Sequence, residues 1–224
     1  MTLPAREETD LEQTVQPPAN SDAPPPSTIR KQLGQNWNKL HPNIQNRFAR
    51  DPAPGEKIIY TGTMHKVRRS FMGALFAHLT RIIGNPLSPY AGEDVPMDVT
   101  LFIKHGKDGV YWQRTYYYEG RKPFIVTSVK RESARGEMME CVGGGFGMLL
   151  DVFGEGRELH FKSYLYFCEI AGIRIALPHW LTPGQTHVIH RDLGNGDFVF
   201  RIDMTHKQLG RTFYQEGVFR RSNP

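Results

Sequence analysis

Gly106-Lys107-Asp108-Gly109-Val110-Tyr111-Trp112-Gln113-Arg114-Thr115-Tyr116-Tyr117-Tyr118-Glu119-Gly120-Arg121 sets an aromatic run between two glycine-marked turns. In a strand, residues two apart share a face, so Trp112, Arg114, Tyr116 and Tyr118 look one way and Tyr111, Gln113 and Tyr117 the other. Extended runs flank both turns, Asp98 to His105 before and Phe124 to Arg131 after. The reading is therefore two successive antiparallel hairpins.

Working outward, the same alternation recurs in Glu137 to Leu150, Asp151 to Phe153, Leu159 to Ile170, Ile173 to Ala176, His187 to Asp192, Phe198 to Asp203 and Arg211 to Phe219. Turn residues such as Gly154-Glu155-Gly156 and Gly194-Asn195-Gly196 separate them. Upstream, Glu56 to Arg68 is a long strand with Ile58, Tyr60, Gly62 and Met64 on one face. After it, Ser70 offers an N-cap to a helix over Phe71 to Ile83, which Gly84 and Pro86 close. Phe71, Met72, Leu75, Phe76, Leu79, Ile82 and Ile83 cover more than a narrow stripe of that helix, which predicts burial over most of its circumference. The implied fold class is α+β, mainly β: a strongly curved antiparallel sheet, or a closed meander barrel of about eight to ten strands, with one buried helix near the start.

Residues 1–30 hold six prolines and almost no large apolar side chains, too little to offset the entropy of ordering. They read as a disordered tail, leaving 31–224 as one globular domain. From Leu33 to Arg50, Trp37, Leu40, Ile44 and Phe48 recur at helical spacing, interrupted at His41-Pro42, and predict short helical turns packed over one end of the domain. The formal charge is +5 overall, with −3 in residues 1–30 and +8 in the remainder. A basic folded part suits an anionic partner, but no Lys/Arg run longer than two residues supports nucleic-acid binding. Cys141 and Cys168 form no C-x-x-C and read as buried thiols in a reducing cytoplasm. No stretch approaches the ~20 apolar residues that span a bilayer. Lys66 to Ile83 nonetheless combines cations with an apolar body, so peripheral membrane contact is a further reading.

Glu140-Cys141-Val142-Gly143-Gly144-Gly145-Phe146-Gly147-Met148 resembles a phosphate loop only superficially, because it lacks both the following Lys-Ser/Thr and a G-x-G-x-x-G spacing. It reads instead as one bending strand whose bare face, with Gly143 and Gly145, lets a ligand approach the backbone. Arg114 among aromatic residues suits a carboxylate or phosphate, or else an internal pair with Glu140. Leu159, Phe161, Leu165 and Phe167 share a face with Ser163, a hydroxyl in an apolar row, and neither Ser163 nor Ser128 has nucleophile-elbow glycines. His187 and His190, three apart, face opposite ways on a strand and cannot share an ion without a bulge between them. No metal or cofactor is expected. Glu140 is the best-placed acid-base candidate, because apolar surroundings would raise its pKa.

Leu33-Gly34-x-x-Trp37, Leu40-His41-Pro42, Tyr60-x-Gly62, Pro86-Leu87, Tyr111-Trp112-x-Arg114, the glycine stretch, Leu177-Pro178-x-Trp180-Leu181-x-Pro183-Gly184 and Gly210-x-x-Phe213-x-Gln215-x-Gly217-x-Phe219 together resemble an uncharacterised bacterial family, domain of unknown function 4166. The resemblance runs from about Leu33 to Phe219. It implies no activity, but related domains fused to nicotinamide-dependent oxidoreductases imply an accessory role beside such an enzyme, here on a separate chain. The residues themselves point to a cavity taking a small apolar or aromatic acidic molecule, with Trp112, Arg114, Tyr116, Gly143, Gly145, Phe161, Ser163 and Gln215 as ligand contacts. An enzyme using Glu140 on such a ligand is the alternative.

Overall fold

A computed structural model describes residues 25–83 and 87–222, without the side chains of Ile82 and Ile83. Most of the proline-rich tail therefore lies outside the described residues, as do Gly84 and Pro86. Eleven strands succeed one another in the order β1 (Lys57–Arg69), β2 (Gly92–Phe102), β3 (Val110–Tyr116), β4 (Phe124–Glu132), β5 (Met138–Cys141), β6 (Phe146–Glu155), β7 (Glu158–Ile170), β8 (Ile173–Ala176), β9 (Gln185–Gly194), β10 (Asp197–His206) and β11 (Gly210–Arg221). Ten of them close into an antiparallel barrel through β1–β11 and β6–β7 pairing, leaving β8 outside the ring on the edge of β7. Closure pairs the ring strands on both sides, which removes the open edges of a flat sheet.

The alternation read from the sequence holds along most strands. Ile58, Tyr60 and Met64 of β1, Trp112 and Tyr116 of β3, and Phe213, Gln215 and Phe219 of β11 are all buried. Two corrections concern the glycine stretch and the strand after it. Glu137 to Leu150 is not one strand but a hairpin: β5 and β6 are joined through Gly144 and Gly145, whose φ angles of 66° and 79° are open to glycine but strained for other residues. Further along, the register shifts between Leu149 and Leu150 on β6, opposite Leu165 and Ser163 on β7, so the two halves of β7 present opposite alternation to the core. Phe161 stays in the main core, whereas Phe167 and Leu165 join Met139 and Leu149 in a separate small cluster.

One end of the barrel is sealed. Helix α1 (Thr28–Leu33), a 3-10 turn (Gly34–Lys39) and α2 (Pro42–Phe48) bury Ile29, Leu33, Trp37, Ile44 and Phe48. The folded part thus reaches back past residue 31, with Ser27 capping α1 by accepting from the Arg30 N–H. Phe48 stacks on Trp112 at 6.4 Å and meets His190 edge-on at 5.2 Å. Asp192 ties α2 to β9: its carboxylate accepts from Asn43 Nδ2 at 3.1 Å and from Arg157, with Arg47 at 3.8 Å.

The opposite end carries α3 (Phe71–Leu79), capped as expected by the Ser70 hydroxyl. Its expected burial is overturned. Only Gly73 and Ala77 are buried, while Phe71 is 84% exposed, with Leu75 and Leu79 exposed beside it. The helix stands on the barrel by its small residues because Thr212 of β11 lies directly beneath, where a Cβ on Gly73 would overlap the Thr212 carbonyl. Gly73→Ala is expected to lower stability by ~1–3 kcal/mol, since overpacking against backbone outweighs the ~1 kcal/mol that alanine adds in helix propensity. Urea denaturation checks this; unchanged or higher stability would mean that α3 is not seated so tightly.

Candidate functional site

Under α3 the barrel holds a cavity of ≈ 290 Å³, at the lower edge of the ~300–1,000 Å³ usual for small-molecule sites. Phe76, Leu79 and Thr80 of α3 and its extension roof it, Leu181 and Pro183 close one side, and Met148, Val188, Ile202 and Met204 of three strands form apolar walls. The charged groups that reach it are Arg114 and Glu140.

These two belong to a buried network. Lys130 Nζ lies 2.9 Å from Glu140 Oε2, and Arg114 Nη2 lies 3.8 Å from Oε1. Ser128 donates to Glu140 Oε1 at 2.6 Å and accepts from Arg114 Nη2 at 3.3 Å. The register produces the cluster: Lys130 of β4 stands opposite Glu140 of β5, and Arg114 of β3 opposite Val126. Burial alone pushes the Glu140 carboxyl up, but the charges of Lys130 and Arg114 and the hydrogen bonds of Ser128 and Lys130 outweigh it and bring the pKa down to about 2. The expected upward shift is thus reversed, because the apolar surroundings came with Arg114, a partner the sequence offered, and with Lys130, which it did not. Burial lowers Lys130 in turn, against the pull of Glu140. Two cations against one carboxylate leave the group a unit positive charge, and Arg114 Nε, buried, has no hydrogen-bond partner among the described residues.

The other expected contacts fall in different places. Trp112 and Phe161 lie beneath the network, with Lys130 Nζ 4.5 Å and 5.5 Å from their ring centroids. Tyr116 is buried and donates to Gln215 Oε1 at 2.8 Å. Gln215 sits opposite the cavity-lining Ile202, and its Nε2, also buried, lacks a partner among the described residues. Ser163 accepts from the Thr186 N–H at 2.8 Å in a second cleft. Gly143 and Gly145 shape the β5–β6 turn, and Gly145 lines a separate cavity with Arg131 and Phe167. Cys141 is half-buried, Cys168 is buried, and both thiols are free.

Sequence reasoning missed Met148, Tyr166, Thr186 and Met204, which line the cavity from strands far apart in the chain. Alternation along β9 and β10 marks Thr186, Val188, Ile202 and Met204 as inward, so that signal was present; Tyr166 was hidden by the β6–β7 bulge. Tyr166 and Thr186 share a hydroxyl hydrogen bond at 2.5 Å, and Tyr166 borders both the cavity and the second cleft. Among the described residues no group of three or more His, Cys, Asp or Glu could hold a metal ion. His187 meets His160 rather than His190, Nε2 to Nδ1 at 3.0 Å.

Fold and site together define a closed antiparallel β-barrel with one plugged end and one end holding an apolar cavity over a charged floor. The chain belongs to the family described as Domain of unknown function (DUF4166), which matches residues 40–219. It is similar to the uncharacterized protein YndH of Bacillus subtilis (strain 168), 25% identical over 201 residues that cover 86% of this chain and 96% of that protein. Among solved structures, a candidate thioesterase II from Thermobifida fusca YX aligns over 77% of this chain and 80% of that one, at 9% identity and a TM-score of 0.25. A likeness that weak carries no argument about fold or activity.

Proposed function

We propose that the chain is a binding module for a small, mainly apolar molecule bearing one acidic group. The observation that carries this reading is Arg114, beside Glu140, at the floor of a mainly apolar cavity, in a network one negative charge short of neutrality. An apolar body would fill the space between Met148, Val188 and Ile202, and its acid would meet the guanidinium, which stays charged and presents a planar fork of donors. An enzymatic role for Glu140 gains no support here. A carboxylate held ionised by two cations has no proton to give at neutral pH, and its oxygens are already engaged.

The test is a thermal-shift and calorimetric screen with medium-chain fatty acids, aromatic carboxylic acids and their alcohol analogues. Arg114→Met keeps volume and leaves Glu140 paired with Lys130. It is expected to weaken acid binding ~10–100-fold, the weight of one charge-assisted hydrogen bond, while changing alcohol binding little. Failure of every acid to bind, or acid affinity indifferent to this substitution, would overturn the assignment.

A further inference from the structure

Resting on the cavity reading, we infer that the α3 end of the barrel is a docking face for an anionic membrane surface, from which the apolar ligand enters. Phe71, Leu75 and Leu79 succeed one another four residues apart and form a single stripe of α3, opposite the buried Gly73 and Ala77. Such a helix is turned the wrong way for a soluble barrel: its small residues face the core and its bulky apolar ones face out. Across the mouth, the turn His179–Leu181 adds Trp180, 67% exposed, and Leu181, 50% exposed. Leu79 and Leu181 line the cavity itself, so the exposed patch and the cavity wall are continuous.

Charge selects the occupant. Of the segments that build this end, 66–83, 87–92, 171–187 and 204–212 contain no Asp or Glu and carry Lys66, Arg68, Arg69, Arg81, Arg174, Lys207 and Arg211, and the β3–β4 turn packed on Tyr90 adds Arg121 and Lys122 against Glu119. Carboxylates bordering these segments are engaged, Glu93 with Arg68, Asp94 with His65, Glu169 with Arg174 and Asp203 with Arg211, which leaves Lys66, Arg69, Arg81 and Lys207 without an acidic partner among the described residues. Lys66 and Arg81 are exposed. Apolar side chains projecting from a net-basic collar match a bilayer with anionic headgroups: the side chains enter the acyl boundary and the cations remain among the phosphates. A tryptophan at the rim suits the same interface.

Trp37 and Trp112 are buried and Trp180 is exposed, so intrinsic fluorescence reports on the rim. The full chain is mixed with vesicles of phosphatidylglycerol or of phosphatidylcholine alone and assayed by flotation and emission. The expected result is co-flotation with the anionic vesicles, a blue shift lost in Trp180→Ser, and at least tenfold weaker binding to the zwitterionic vesicles or at high salt. Phe71→Ser with Leu75→Ser, both outside the cavity lining, should abolish flotation yet leave the affinity for a soluble acid ligand unchanged, which separates docking from the cavity's own function. The inference fails if anionic vesicles float without the protein or if the double variant floats as well as the parent. It fails equally if the parent is a stable dimer that the double variant converts to a monomer, because the face would then cover a second copy.

Discussion

Glu140→Gln is expected to destabilise the fold by about 3–5 kcal/mol, the usual cost of removing one partner from a buried ion pair. The loss comes from what is left behind. Lys130, with a side chain 8% exposed, and Arg114, at 11%, would face each other with no carboxylate between them, and Ser128 would lose an ionised acceptor. Returning the network to its single positive charge should recover stability: Lys130→Met with Glu140→Gln is expected to lose less than Glu140→Gln alone, because only Arg114, the less buried of the two cations, then remains. Urea denaturation of both variants decides the matter, and a loss below about 1 kcal/mol in the single variant would contradict the pairing described here. The same carboxylate sets an acid limit. Its folded pKa, about 2, lies below the ordinary 4.5, so its contribution is complete above pH 4.5 and disappears as pH falls from there towards 2. Glu140→Gln should flatten the stability curve over that window.

At the plugged end, Asp192→Ala should cost about 3 kcal/mol. The Asp192 side chain is fully covered, and it holds Arg157, Asn43 and Arg47 together where α2 meets β9. Arg47 suffers most. Burial already lowers its pKa to about 10 against the pull of Tyr60 and Asp192, and its guanidinium lies 3.8 Å from the Phe198 ring centroid, with a side chain 9% exposed. Arg157→Ala removes a half-exposed partner and should cost clearly less. Chemical denaturation of the two variants ranks them; equal losses would mean that Arg47 does not depend on Asp192.

The strand order and the inward residues of β1 and β3 could be read from alternation alone, since period two is a local property and one buried face enforces it. Three features could not. The Gly143–Gly145 run reads in sequence as part of one bent strand, whereas its role as a turn depends on the β5–β6 pairing of Glu140 with Met148. The inverted facing of Leu165 and Phe167 comes from one extra residue opposite Leu149–Leu150, which leaves no mark in composition. For α3, apolar residues around most of the circumference implied burial, whereas the decisive residue was Gly73, whose missing side chain lets the helix rest on Thr212. The charged floor lay between these cases. Arg114 and Glu140 were singled out as a candidate pair, but Lys130, the closest partner of Glu140, reads in sequence as an ordinary strand lysine.

The ring closes where β1 meets β11, with Tyr60 opposite Arg221 and Arg69 opposite Phe213. Every other pairing in the ring joins strands that are neighbours in the chain or separated only by the short β8 excursion, so those hairpins can zip up locally as the chain emerges. The seam is different in kind: it brings together segments at opposite ends of the domain, and the entropy of closing so large a loop must be met before any seam contact forms. Until the β10–β11 hairpin docks on β1, α3, which follows β1, lacks the Thr212 carbonyl on which it stands. The last strand is therefore also a timer, and the cavity exists only in a chain that has finished folding.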